Sequence, residues 1–195
     1  MARQRLAFPD VVSDFSGFLP GQIQATIVPP FDYDQIFTTE QLGGAKPELE
    51  ATTDRRTGKM KLSAVSVSDR VLHGGSKFTT VGIYFHPPSR GKLAVYAAPK
   101  YSYQWWTNSL KPTDVVRSFG QVGLLVYGVD LTDDSIRATA VADFFTWDEN
   151  QSGQINLDFD TVQAPVMSAE LNVNRTLVYL VFVSANVHVY ASGWP

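Results

Sequence analysis

The chain has 195 residues, a formal net charge of −3 at pH 7 and no cysteine. Hydrophobic residues make up 44% of it and charged residues 18%, a composition that is typical of a globular protein and excludes a largely disordered one. The missing cysteines exclude disulfides, thiolate metal sites and a cysteine nucleophile. The scattered lysines and arginines argue against a nucleic-acid partner, and no apolar run is long enough to predict a transmembrane segment.

The first part of the chain is the least regular. Residues 1–59 predict an irregular, Pro- and Gly-rich arm with one strand at Gln22–Val28, which Pro29 and Pro30 end. We expect this arm to wrap a core formed by residues 60–195, within a single domain that spans residues 1–195. Met1–Asp10 has no apolar stretch of the kind found in signal peptides. The sequence leaves the compartment unknown. An extracellular or virion-associated location is slightly favoured, although Met1–Asp10 does not predict a signal peptide.

Two alternating segments form the centre of the sequence. Apolar and polar residues alternate with a period of two in residues 79–85 and again in residues 92–98. Pro87, Pro88 and Gly91 lie between them, and these residue types are typical of turns. The pattern predicts a β-hairpin, with His73-Gly74-Gly75 in a loop before it.

Further strands are predicted at residues 59–68, 120–130, 137–147, 155–159 and 175–190. The last of these is either one long bent strand or two strands with a tight break at residues 184–186. No segment of eight or more residues predicts a helix. Eight or nine short strands separated by turns indicate an all-β fold, specifically a single-domain antiparallel β-sandwich that is jelly-roll-like.

The densest aromatic cluster follows the second alternating segment. We predict a ligand-binding face there that consists of Tyr103, Gln104, Trp106 and Asn108. Sugar rings have apolar faces that stack on aromatic side chains, while amides bond their hydroxyl groups. The alternative is that Trp105 and Trp106, which face opposite sides of the predicted strand, both pack, one in the core and one under a loop.

One loop has a metal-like spacing. Asp148, Asn150 and Ser152 occupy the first, third and fifth positions, and Gly153 the sixth, of a segment that resembles the first half of an EF-hand calcium loop. The twelfth position is Phe159 where the motif needs a bidentate glutamate, and strands flank the loop where helices are expected. The sequence makes Ca²⁺ the candidate cofactor, and a polar hairpin loop is the alternative.

Acidic residues also occur at positions suitable for hydrolysis. Two carboxylates that converge in a cleft can hydrolyse a glycoside, and the candidates are Asp143, Asp148, Glu149, Asp158 and Asp160. His86 and His188 are separate residues on predicted strands, where a histidine usually has a structural role. No motif for a nucleophile is present, so the sequence argues against an enzyme.

We therefore compare three functional hypotheses. The first is a non-catalytic binding module whose aromatic face recognises carbohydrate or another surface ligand, such as a protein surface. The alternative is a structural or assembly protein, a shell, fibre, virion or oligomerising toxin component, whose arm Met1–Pro47 packs on a neighbour in a homo-oligomer. The third is a hydrolase with two carboxylates.

Overall fold

The computed structural model describes residues 22–26, 29–41, 47–65, 73–106, 115–149, 155–156 and 162–192. These residues form strands joined by turns and irregular segments, without a helix, so the chain is all-β. The fourteen strands are β1 (Gln22–Thr26), β2 (Tyr33–Gln41), β3 (Glu48–Asp54), β4 (Lys59–Val65), β5 (His73–Phe85), β6 (Gly91–Ala97), β7 (Lys100–Tyr101), β8 (Trp105–Trp106), β9 (Val115–Asp130), β10 (Ser135–Glu149), β11 (Ile155–Asn156), β12 (Val162–Gln163), β13 (Met167–Val173) and β14 (Val178–Ser192).

The largest sheet has five strands in the order β10-β9-β14-β5-β2, and every neighbouring pair is antiparallel. β14 lies at its centre and is continuous over 15 residues, so of the two predictions for this segment the single long strand is correct. β9 and β10 form a hairpin through the turn at residues 131–134.

A second sheet has three strands in the order β1-β6-β13, with β1 parallel and β13 antiparallel to β6. The hairpin β3–β4 turns at residues 55–58, where Gly58 has a φ of 71° that favours glycine. Phe31 and Asp32 connect this turn to β5: the Phe31 N–H donates to the Arg55 carbonyl, and the Asp32 N–H donates to the Gly82 carbonyl. The pairs β7–β12 and β8–β11 are short.

The core contains residues from both of these sheets. On the five-stranded sheet its members include Leu124, Tyr179 and Val181, which have no exposed surface, and on the three-stranded sheet they include Leu93 and Val95. Burial of such aliphatic side chains contributes about 1.5–3 kcal/mol each to folding. One face of the five-stranded sheet therefore packs into the hydrophobic core; we call it the core face.

The predicted hairpin between β5 and β6 is wrong. β5 pairs with β14 and β2, whereas β6 pairs with β1 and β13, so the two strands belong to different sheets. Both strands place alternate apolar residues, such as Val81 and Leu93, in the core. The connection with buried Pro87 therefore carries the chain from one sheet to the other. His73-Gly74-Gly75 begins β5, so the loop predicted there is also wrong.

The N-terminal region contains more regular structure than predicted. Besides β1, which confirms the strand at residues 22–26, it holds β2 and β3, so the expectation of a single strand before residue 59 is wrong. The alternation of residues 31–34 breaks at Gln35, which takes the parity of Tyr33, and the adjacent apolar residues Ile36 and Phe37 hide the period of β2. Residues 1–21 lie outside the described part of the chain. Among the described residues, no helix is long and apolar enough to cross a membrane.

Candidate functional site

The side chains that alternate with the core residues lie on the opposite face of the five-stranded sheet, which we call the second face. An aromatic cluster occupies its centre. The ring of Tyr33 lies 4.8 Å from that of Tyr84 and 6.2 Å from that of Phe182, and Tyr127 lies 5.5 Å from Phe182, all between ring centroids. The second face is thus largely aromatic, whereas the core face is largely aliphatic.

Beside this cluster, a row of directly opposed residues crosses four strands. In the strand register Asp148 lies opposite Phe119, Phe119 opposite His188, and His188 opposite Ser76. Residues that oppose one another directly share a face of the sheet. A shallow depression of about 240 Å³ lies here, and its lining comes from β5, β9 and β14; we call it the second-face site. The lining residues are Ser76, Arg117, Phe119, Asn186 and His188.

Arg117 and Asp148 form a bidentate ion pair at the rim of the site. Arg117 donates from Nε to Asp148 Oδ1 at 3.0 Å and from Nη2 to Oδ2 at 2.9 Å. Hydrogen bonds and charge from Arg117 lower the pKa of Asp148, and the same carboxylate raises the pKa of Arg117. Both side chains are about half exposed, so the pair contributes only about 0–1 kcal/mol to stability. The pair matters for its geometry, because the bidentate contact with Asp148 sets the direction of the Arg117 guanidinium.

Phe119 supplies the apolar surface of the site. The guanidinium carbon of Arg117 lies 6.0 Å from the centroid of the Phe119 ring, so the cation and the ring are neighbours. Five guanidinium N–H groups are available on an arginine, and the two bonds to Asp148 leave three. The site therefore combines an aromatic ring with donors whose direction is set by a second side chain.

His188 and Asn186 complete the polar lining. Partial burial, and to a smaller extent the charge of Arg117, lowers the pKa of His188 below its usual value. The ring is consequently neutral at pH 7 and offers one N–H donor and one acceptor nitrogen. The side-chain oxygen of Asn186 is buried and has no hydrogen-bond partner within the described structure. A buried oxygen of this kind is stabilised when a donor, such as a ligand hydroxyl, reaches it.

The predicted ligand-binding residues are only partly described by the structure. Tyr103 is half-buried with its ring 5.8 Å from that of Tyr101, and Gln104 is exposed. Trp106 lies in β8 opposite Ile155, and Asn108 lies outside the described residues. Tyr103 and Gln104 are not among the described residues that line the second-face site. The aromatic face that the sequence predicts stays a prediction.

The calcium prediction also stays untested. Asp148 lies near the end of β10 and directs both carboxylate oxygens at Arg117, so a bound Ca²⁺ ion would have to compete with that guanidinium. Asn150 and Ser152 lie outside the described residues. Within the described ranges, no three His, Asp or Glu side chains are grouped closely enough to hold a metal ion.

The carboxylate pair proposed for hydrolysis requires an acid with a raised pKa, and Asp148 has a lowered one. Asp158 and Asp160 lie outside the described residues, and only the backbone is described at Asp143 and Glu149.

Sequence reasoning missed Arg117, Phe119 and Asn186 and treated His188 as structural. One pattern could have found the first two: they continue, on β9, the parity opposite to buried Val122. No local pattern shows that Asp148 and His188 lie on either side of them, because the registers join segments distant in sequence.

No protein-family model matches this chain, and neither a comparison with curated proteins nor one with solved structures finds a match.

Proposed function

We propose that this protein is a non-catalytic binding module, built on a jelly-roll-like β-sandwich, that recognises carbohydrate at the second-face site. The observation that carries the proposal is the bidentate Arg117–Asp148 pair beside the ring of Phe119. Carbohydrate ligands present both ring hydroxyls and apolar C–H faces. A binding site for them needs oriented planar polar groups next to an aromatic surface.

The hydrogen-bonding inventory of the site supports a neutral polyhydroxyl ligand. Arg117 offers donors, His188 offers one donor and one acceptor, and Asn186 has an unpartnered oxygen. Asp148 balances the charge of Arg117, so the pair attracts neither anions nor cations strongly. A hydroxyl both donates and accepts, and it therefore suits such a mixed lining.

The electrostatics favour binding over catalysis. A general acid has its pKa raised towards the working pH, whereas Arg117 lowers the pKa of Asp148 and keeps it ionised. His188 has a lowered pKa and is not hydrogen-bonded to a nucleophile among the interactions of the described residues. Since the depression is shallow, a ligand bound there stays in contact with water, which suits reversible recognition.

A glycan array compared across four proteins tests the proposal. The wild type, Arg117→Ala and Asn186→Leu report on the second-face site, and Trp106→Ala reports on the aromatic face that the sequence predicts. We expect Arg117→Ala and Asn186→Leu each to remove hydrogen bonds between the site and the glycan. Binding should weaken at least about tenfold, which corresponds to about 1.4 kcal/mol. We expect Trp106→Ala to bind like the wild type.

Titration calorimetry on the best glycan, with and without Ca²⁺, completes the experiment. Loss of binding in Trp106→Ala alone would move recognition to the Tyr103–Asn108 segment, and Ca²⁺ dependence would assign a role to the loop that begins at Asp148. A wild-type protein that is folded by circular dichroism and binds no glycan would refute the carbohydrate proposal.

A further inference from the structure

The two edges of the five-stranded sheet are β10 and β2, and they differ in how they present their backbones. Within the described part of the chain, β10 pairs only with β9, so its other side has no strand neighbour over 15 residues. An edge strand with free N–H and C=O groups is a template for another strand, and proteins usually protect it with lysine, proline or a bulge.

Protection of β10 is confined to its ends. Register shifts mark bulges between Ile136 and Ala138 and between Phe145 and Trp147, which leaves residues 138–145 as a regular stretch. This stretch contains no lysine or proline, and Asp143 is its single charged residue. Arg137 lies in the first bulge and forms ion pairs with Asp133 and Asp130. Among the residues that the structure describes, none pairs with the free side of the middle of β10.

Two exposed apolar side chains of β10 lie on the second face. Val141 is 49% exposed near the centre of the regular stretch, and Ile136, just before the first bulge, is 58% exposed. On an edge strand, such side chains are shielded from water when a neighbouring strand is added. The free backbone groups and the exposed side chains of β10 thus both favour an added β-strand as the partner.

We propose that a second copy of this chain pairs with β10, antiparallel and centred on Val141, so that two five-stranded sheets form one continuous sheet. The two-fold axis is perpendicular to the sheet, which keeps the core faces of both copies on one side. In this register Val141 lies opposite Val141 of the second copy, Ala140 opposite its Ala142, and Thr139 opposite its Asp143. Each pair has the same parity, as a shared face requires.

Charge explains why β10, rather than β2, is the pairing edge. β2 spans Tyr33–Gln41, and self-pairing about its midpoint would place Asp34 directly opposite Glu40 of the other copy, twice. Like charges in directly opposed positions destabilise a strand pair. In the β10 pair, Asp143 faces an uncharged threonine, and the two Asp143 positions lie well apart along the strands. β10 is thus compatible with a second copy of itself, whereas β2 paired about its midpoint is not.

The dimer would also carry two second-face sites on the same side of the sheet. A surface that displays several identical glycans would then be bound through both sites at once, which raises avidity without a new contact. The pairing itself does not depend on the identity of the ligand.

Because Val141 lies opposite Val141 of the second copy in the proposed register, a charge-swap experiment at this position tests the proposal directly. Val141→Lys and Val141→Glu each place like charges opposite one another, and we expect each to weaken the dimer at least about tenfold in sedimentation equilibrium. An equimolar mixture of the two variants should form heterodimers, because opposite charges then face each other. Gln35→Lys, at an exposed position on β2, is the matched control and should dimerise like the wild type. Thermal melts verify that every variant is folded.

Hydrogen exchange gives a second readout, because amides of residues 138–145 should exchange more slowly as the wild-type concentration rises. A wild type that sediments as a monomer at every concentration would overturn the proposal. So would a Val141→Lys variant that stays dimeric, or a mixture of variants that fails to associate.

Discussion

The two faces of the five-stranded sheet are built from neighbouring residues of the same strands, yet they differ in composition and in packing. On the core face, Leu124, Val126 and Val181 are aliphatic and fully buried. On the second face, aromatic rings surround buried small residues, and buried polar atoms of Tyr33 and Asn186 have no hydrogen-bond partner. Aliphatic interdigitation stabilises the fold, whereas a buried polar atom without a hydrogen-bond partner lowers stability until a donor reaches it.

The largest expected difference between the faces concerns two consecutive leucines of β9. Leu124 is completely buried on the core face, and Leu125 is half-buried on the second face. We expect Leu124→Ala to lower the free energy of unfolding by about 2–5 kcal/mol, through lost burial and a cavity. Leu125→Ala should cost less than half as much in the same urea titration. Equal losses would show that the second face is packed as a core.

The close approach of strands at Gly82 gives the next largest effect. A Cβ atom there would lie 2.4 Å from the Val181 carbonyl oxygen and 2.6 Å from the Tyr33 hydroxyl. Gly82→Ala should therefore lower the free energy of unfolding by about 1–3 kcal/mol, as overpacking does. Combining it with Tyr33→Phe removes one clash and leaves the backbone clash, so we expect partial recovery. Full recovery would mean that the carbonyl contact is unimportant.

Two buried tyrosines should respond oppositely to loss of their hydroxyl groups. The hydroxyl of Tyr179, on the core face, accepts a hydrogen bond from the Asn174 N–H at 2.8 Å, whereas that of Tyr33 has no partner. Tyr179→Phe should cost about 1 kcal/mol, while Tyr33→Phe should be neutral or stabilising by up to about 1 kcal/mol. Unfolding in guanidinium chloride measures both changes in the free energy of unfolding. A destabilised Tyr33→Phe would indicate that its hydroxyl is hydrogen-bonded in solution.

The smallest expected effect is the pH dependence of His188. Because its pKa is lowered in the folded protein, the unfolded chain binds more protons as the pH falls through 6.5, and the folded state loses stability. The wild type should therefore lose stability relative to His188→Gln between pH 7.5 and pH 5. An NMR titration of the His188 ring checks the direction independently. A stability difference between the two proteins that does not change with pH would contradict the lowered pKa.

Part of this architecture could be predicted from residue patterns. Alternation identified β1, β4, β9, β10 and β14, and it predicted the extended segment 79–85, in which Val81 and Phe85 are both buried. The same alternation failed at the β5–β6 connection, because a turn between two strands looks alike whether they pair or lie in opposite sheets. It also failed at β2, where Gln35 and the adjacent apolar residues Ile36 and Phe37 break the period.

The candidate site was less accessible to sequence reasoning. Asp148 was singled out for its loop spacing, yet its partner in the structure is Arg117, 31 residues earlier. His188 and Ser76 meet only because β14 and β5 are neighbours in the sheet. Spacing along the chain carries no information about such contacts.

The sequence by itself determined that this is an all-β protein and which side chains share a face within several of its strands, since a period of two is a local property of an extended backbone. The order of the strands, their division among separate sheets and the meeting of Arg117, Asp148 and His188 were decided by the tertiary structure alone. Many strand pairings satisfy the same alternation. Only close packing of the complete core selects one of them.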